Sequence, residues 1–125
     1  MQLKALNIEW DKVPSELESF ISPNQTFITP GKEYFVYALS IYIKIVFALV
    51  IDDLNTPVFL PASIFETISP EVPCDWICNL GVDDDLEMIL GPEFIAKDLE
   101  AYSSMVDQES DQVERFWIWS KKEKN

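Results

Sequence analysis

The chain contains no histidine. That absence excludes Ser-His-Asp and Cys-His nucleophile systems and any zinc site built on imidazole. Arginine occurs once, at Arg115, which leaves little guanidinium for holding phosphate or carboxylate substrates. The three glycines, Gly31, Gly81 and Gly91, form no phosphate-cradling array. Cysteine occurs twice, as Cys74-Asp75-Trp76-Ile77-Cys78. Two cysteines are too few for a disulfide framework, which fits a reducing cytoplasm. With no third soft ligand they make a poor metal site, so they read as small buried hydrophobes or unpaired thiols. The largest gap is in basic residues: none stands between Lys44 and Lys97.

Carboxylates fill that gap. Asp52, Asp53, Glu66, Glu71, Asp75, Asp83, Asp84, Asp85, Glu87 and Glu93 all fall within it, and the whole chain has 22 acids against nine bases, a formal charge of −13. Such imbalance costs self-repulsion in the compact state. It argues against binding nucleic acid or an anionic membrane, because phosphates are repelled. It favours a basic protein, a cation, or plain solubility. At 125 residues the chain is expected to be one domain, residues 1–125, and 48% hydrophobic composition supports a real core. The opening MQLKALNIEWDK lacks a basic segment leading into an apolar run, so no signal peptide is expected. Tyr34 to Ile51 has Lys44 as its only charge. Its Ile, Val, Tyr and Phe content and its central lysine favour a buried β-hairpin over a membrane span.

The pattern predicts a first strand over Gln2–Trp10, with Leu3, Ala5 and Ile8 inward. A short helix follows from Ser15, with Ser15 and Glu18 as a capping box and Leu17, Phe20 and Ile21 as its apolar face. Thr29-Pro30-Gly31-Lys32 is a turn. Strands over Glu33–Tyr42 and Ile45–Ile51 meet at Ile43-Lys44, because one unbroken strand of that length is rare. After the turn Asp52-Asp53-Leu54-Asn55, a third strand over Thr56–Leu60 completes an antiparallel meander, with Pro57 at an edge. Ala62–Ile68 reads as irregular or helical, and Asp75–Leu80 and Leu86–Leu90 as two more strands around a solvated Asp83-Asp84-Asp85 loop. Gly91-Pro92-Glu93 opens a helix, with Pro92 at its first position. Ile95, Leu99, Tyr102 and Val106 recur at helical spacing, continued by Val113 and Phe116. Either one helix runs to about Ser120, or it stops near Asp107 and Arg115–Trp119 forms an aromatic strand. The all-round apolar Phe116-Trp117-Ile118-Trp119 favours the second. The expected class is therefore α+β: an antiparallel sheet of about four to six strands around a central meander, packed by helices, with the main helix in the C-terminal third.

Chemistry points to binding rather than catalysis. Asp83-Asp84-Asp85-Leu86-Glu87 can be a solvated turn, a contact for a basic partner, or a hard-cation site, although it lacks the alternating ligands and central glycine of a calcium loop. Among 22 acids some pair falls at a catalytic distance by chance, so paired carboxylates carry no enzymatic signal. No enzyme activity and no cofactor are expected. Trp10, Trp76, Trp117 and Trp119 read mainly as core. Base stacking by Trp117 and Trp119 beside Lys121, Lys122 and Lys124 is opposed by the net charge.

One stretch resembles a known group. Gly31-Lys32-Glu33-Tyr34-Phe35-Val36-Tyr37-Ala38-Leu39-Ser40, then Asp52-Asp53, then Pro57-Val58-Phe59-Leu60-Pro61-Ala62-Ser63-Ile64-Phe65-Glu66, is similar to small bacterial toxin-immunity proteins of polymorphic-toxin and contact-dependent growth inhibition systems. The resemblance covers residues 31–68. It implies a small cytoplasmic α+β protein that neutralises a basic, nuclease-type toxin by non-catalytic binding. The charge supports the same expectation, since a carboxylate-rich face steers association with a cationic protein. The expected contact residues are Asp83, Asp84, Asp85 and Glu87, with Asp52 and Asp53 as a second edge and Glu100 and Asp107 along the helix. A secretion or assembly chaperone that holds an effector segment is the alternative.

Overall fold

The computed structural model describes residues 1–124. Eight strands run in chain order: β1 (Gln2–Ala5), β2 (Glu33–Phe35), β3 (Ala38–Tyr42), β4 (Ile45–Ile51), β5 (Pro57–Pro61), β6 (Phe65–Ser69), β7 (Ile77–Leu80) and β8 (Leu86–Gly91). Three helices close the chain: α1 (Glu93–Ala96), α2 (Leu99–Val106) and α3 (Ser110–Lys124). The class is α+β, as expected. The five-stranded sheet has the order β5-β4-β3-β8-β7, and a three-stranded sheet, β2-β1-β6, is added to it. All pairings are antiparallel.

The expected meander is β3-β4-β5. Its first turn falls at Ile43-Lys44, where both residues have positive φ, 44° and 65°. A two-residue hairpin loop matches the twist of its strands in this way, though usually with Asn or Gly. The β-branched Ile43 is costly in that conformation. Pro57 starts β5, an edge strand, so its missing N–H costs no ladder bond.

The larger sheet is covered unequally on its two faces. Leu49, Ala38 and Ile89 face the helices and pack with Ile95, Ala96, Met105 and Phe116. Ala48, Val50 and Leu60 point the other way and pack with Leu3, Tyr34 and Phe65 of the smaller sheet. This second sheet is fixed by pairing β1 with β6, residues sixty or more positions apart. A Cβ on Gly91 would lie 2.8 Å from the Cβ of Ala38, so glycine permits the close approach of β8 to β3.

Several local expectations need correction. The first strand ends at Ala5 rather than Trp10. Ser15–Leu17 is one 3₁₀ turn with Pro14 at the N-cap, so Ser15 makes no cap hydrogen bond and the capping box does not form. Glu33–Tyr42 is two strands in different sheets. Residues 62–68 become a 3₁₀ turn followed by β6. Pro92 is the N-cap of α1, not its first helical residue.

The C-terminal helix is broken twice. Asp98 is extended, and its carboxylate accepts the Ala101 N–H at 2.7 Å to cap α2. That break shifts the helical phase, so Leu99 and Val106 are exposed while Ala101, Tyr102 and Met105 are buried. The second break falls at Asp107, as expected. There Gln108 adopts φ 54°, its N–H reaches the Met105 carbonyl, and the Glu109 N–H reaches that of Ser104. This is a Schellman end with Gln in the usual glycine place. Arg115–Trp119 is helical, not a strand. Gln112, Phe116 and Ser120 form its buried stripe at four-residue spacing. Two of those three are polar, which hides the stripe from a hydrophobicity reading. Gln112 is satisfied by donating to the carbonyls of Phe94 (2.9 Å) and Ala101 (3.1 Å), which ties α3 to both preceding helices.

The apolar run Tyr34–Ile51 lies in strands, and among the described residues no helix is long and apolar enough to cross a membrane. Cys74 and Cys78 are free and exposed. Trp10 is also exposed, whereas Trp76, Trp117 and Trp119 are half-buried. The side chains of Lys122 and Lys124 lie outside the described residues.

Candidate functional site

On the helix-covered face, a groove of about 520 Å³ opens between the sheet and α2. Its floor is aromatic. Phe47 of β4 meets Phe20, with ring centroids 4.9 Å apart and edge to face, and Phe59 of β5 meets Tyr102 of α2 at 5.1 Å. Tyr42 of β3 completes the floor. Period-2 alternation explains why these rings converge: Phe47 lies opposite Ser40, and Phe59 opposite Leu49, so all share the helix-facing side. Beneath the floor, the Ser40 hydroxyl and the Tyr102 phenol are hydrogen-bonded at 3.0 Å and buried. Burial raises the Tyr102 phenol above its ordinary pKa, so it stays neutral and holds α2 over the sheet.

The rim is acidic. Asp83 and Asp85 stand on the β7–β8 loop, and Asp107 stands at the end of α2. Exposed Leu99 and Val106 also line the groove. The loop is positioned by its backbone: the Asp85 carbonyl accepts the Ile43 N–H at 2.7 Å. Thus the strained β3–β4 turn docks on the acidic loop. Asp107 is positioned from below, because its neighbour Gln108 donates through Nε2 to the Pro57 carbonyl at 3.0 Å. The ion pairs among the described residues are Glu9–Lys12 and Lys32–Asp53, so no rim carboxylate is neutralised by one.

Of the eight expected contact residues, the fold brings Asp83, Asp85 and Asp107 to this groove. Asp84 is exposed on the same loop, and Glu87 is exposed on β8. Glu100 is exposed in the first turn of α2 and does not line the groove.

Asp52 and Asp53 lie apart and are engaged internally. The nearly buried Asp52 carboxylate accepts the N–H groups of Leu54 (2.9 Å) and Thr56 (3.0 Å), building the β4–β5 turn. The Asp53 carboxylate accepts from Thr29 Oγ1 (2.6 Å), Lys32 Nζ (2.7 Å) and the Tyr34 phenol (2.9 Å). Partial burial works against its charge, but the three donors outweigh it and hold its pKa below the usual carboxylate value. Lys32 is raised correspondingly, chiefly by its hydrogen bond to Asp53.

The groove floor is not visible in the sequence. Phe20, Phe47 and Phe59 are far apart in the chain, and each alone reads as core. Leu99 and Val106 read as core from their spacing, until the break at Asp98 turns them outward. Among the described residues no three His, Cys, Asp or Glu side chains converge as metal ligands. Phe-, Tyr- and Leu-lined walls with a carboxylate rim offer apolar contact and negative charge. Comparison with protein-family models, with curated proteins and with solved structures finds no match for this chain.

Proposed function

We propose that this chain is an immunity-type inhibitor that neutralises a basic protein toxin by covering it, without catalysis. The observation that carries the reading is the groove itself: an aromatic floor bordered by Asp83, Asp85 and Asp107 in a protein of net charge −13. A lysine or arginine of the partner suits both parts of it. The aliphatic stem or guanidinium plane lies on the rings, and the charged head meets the rim. Exposed Leu99 and Val106 give the apolar contact that excludes water around such a pair.

The mechanism then has two stages. The field of the acidic surface speeds encounter with a cationic enzyme and orients it. The groove converts the encounter into a lasting complex by burying side chains, which governs the dissociation rate. The resemblance over residues 31–68 supports the same class. Co-expression with the product of the adjacent gene tests it. Cells carrying both genes are expected to survive, and cells carrying the toxin alone to die. Death in both cases overturns the reading.

A further inference from the structure

A second surface lies on the opposite face of the five-stranded sheet. The smaller sheet covers the β4–β5 part of that face through Ala48, Val50 and Leu60, with Leu39 of β3 and Trp76 packed at its border. By strand alternation, Ile41, Val46, Cys78, Leu80, Met88 and Leu90 share the remaining part. None of them is buried: Leu80 is 71% exposed and Val46 43%, Cys78 is exposed, and the other three are half-buried. Asn79 points the other way, donating to the Ala96 and Lys97 carbonyls, which fixes the assignment of faces.

This patch ends at an open sheet edge. β7 pairs only with β8. The Gly81 N–H bonds to the Glu87 carbonyl at 2.9 Å, and the register continues as Leu80↔Met88, Asn79↔Ile89, Cys78↔Leu90. In an antiparallel ladder, hydrogen-bonded and non-bonded pairs alternate. The backbone N–H and C=O of Cys78 and Leu80 therefore point outward, away from β8. Two donors and two acceptors stand ready for another strand.

Charge selects which strand. Two copies joined antiparallel through this same edge use all four groups only by pairing Cys78 with Leu80 of the other copy, with Asn79 at the centre. Asp75 and Asp83 are exposed in the turns just beyond the two ends of β7, so this antiparallel pairing brings Asp75 of each copy to the same end as Asp83 of the other. Like charges brought together there oppose the pairing, and each copy carries −13. The same two acids favour a strand flanked by basic residues.

We propose that the outer edge of β7 binds an extended segment of a protein partner as a sixth antiparallel strand, with an apolar centre and basic residues at both ends. Its backbone bonds to Cys78 and Leu80, its apolar side chains cover the bare part of the sheet, and its basic ends meet Asp75 and Asp83. This mode is strand addition, with affinity from the main chain and specificity from alternate side chains. It shares Asp83 with the groove but lies on the opposite face of the sheet, and it rests on the open backbone groups of β7 rather than on that reading.

The test uses the full chain and a labelled nine-residue peptide, Lys-Val-Thr-Val-Thr-Val-Thr-Val-Lys, followed by fluorescence anisotropy. The same peptide with glutamate at both ends is expected to bind about tenfold more weakly at low salt. Cys78→Pro removes an outward N–H without touching the β8 ladder and is expected to weaken the lysine-ended peptide by about tenfold. If that variant fails to fold, Leu80→Lys, at a largely exposed position, is expected to weaken the same peptide. Asp107→Asn, in the groove, is expected to leave it unchanged. The proposal is overturned by an absence of peptide binding, by equal binding of the two peptides, or by a loss that follows Asp107→Asn rather than Cys78→Pro. Sedimentation of a dimer that Leu80→Lys abolishes would overturn the choice of occupant.

Discussion

Asp52-Asp53 and Asp83-Asp84-Asp85 are alike as sequence: short acidic runs at the ends of strands, in a stretch without bases. The fold treats them differently. The first pair closes its own turn and ties in Thr29, Lys32 and Tyr34. The second run is held only by backbone and leaves its carboxylates to solvent beside an aromatic groove. The difference lies in what surrounds each run. Thr29 and Lys32 come from the loop that leads into β2, so the smaller sheet brings donors to Asp53. Among the described residues no side-chain donor bonds the carboxylates of the β7–β8 loop, and the hairpin turn at Ile43 supplies a backbone N–H to the Asp85 carbonyl. An acidic run is structural where the chain returns with donors, and free for a partner where it does not.

This contrast can be broken by substitution. Asp52→Ala leaves two backbone N–H groups without their acceptor in a nearly buried turn, and is expected to cost about 2 kcal/mol in chemical denaturation. A loss within experimental error would make the Asp52 turn as dispensable as the Asp83 loop. Asp53→Asn is expected to cost less, about 1 kcal/mol, because its site is partly solvated and the amide keeps one acceptor.

The pH dependence sharpens the same point. Asp53 has a lowered folded pKa, so its contribution is complete above the unfolded value of about 3.9 and is lost as pH falls through the lower folded value. Lys32 is raised, so its contribution holds below about 10.4 and is lost as pH rises through the higher folded value. Asp53→Asn should therefore flatten both ends of a plot of stability against pH relative to the wild type. An unchanged acid limb would remove Asp53 from the account. The smallest effect belongs to the other run. Asp83→Asn, Asp84→Asn and Asp85→Asn together should change stability by no more than about 0.5 kcal/mol, with any gain coming from relieved repulsion. A larger loss would show that the loop is structural after all.

Local signals made part of this fold legible. The meander, the Ile43-Lys44 turn, the edge position of Pro57 and the helix break near Asp107 all follow from apolar runs and turn chemistry within a few residues. What stayed hidden depends on distant pairing or on buried polar groups. β1 meets β6 across the chain, so the smaller sheet leaves no local trace. Asp98 reads as one more helical acid, yet its cap resets the phase and exposes Leu99 and Val106. Gln112 and Ser120 occupy core positions on α3 that hydrophobicity assigns to the surface. The site was legible to a similar degree. Its rim, Asp83, Asp85 and Asp107, stands out as charge, whereas its floor is assembled from rings on β3, β4, β5, α2 and the turn at Phe20.

Salt dependence of association measures the central contrast most directly. Association with the proposed partner, the product of the adjacent gene, is followed by stopped flow from low to physiological salt. Replacing Asp83, Asp85 and Asp107 with asparagine together is expected to slow association about tenfold at low salt and to flatten its salt dependence, while Asp53→Asn leaves both unchanged. If Asp53→Asn slows association and the groove variant does not, the two acidic runs have been assigned the wrong way round.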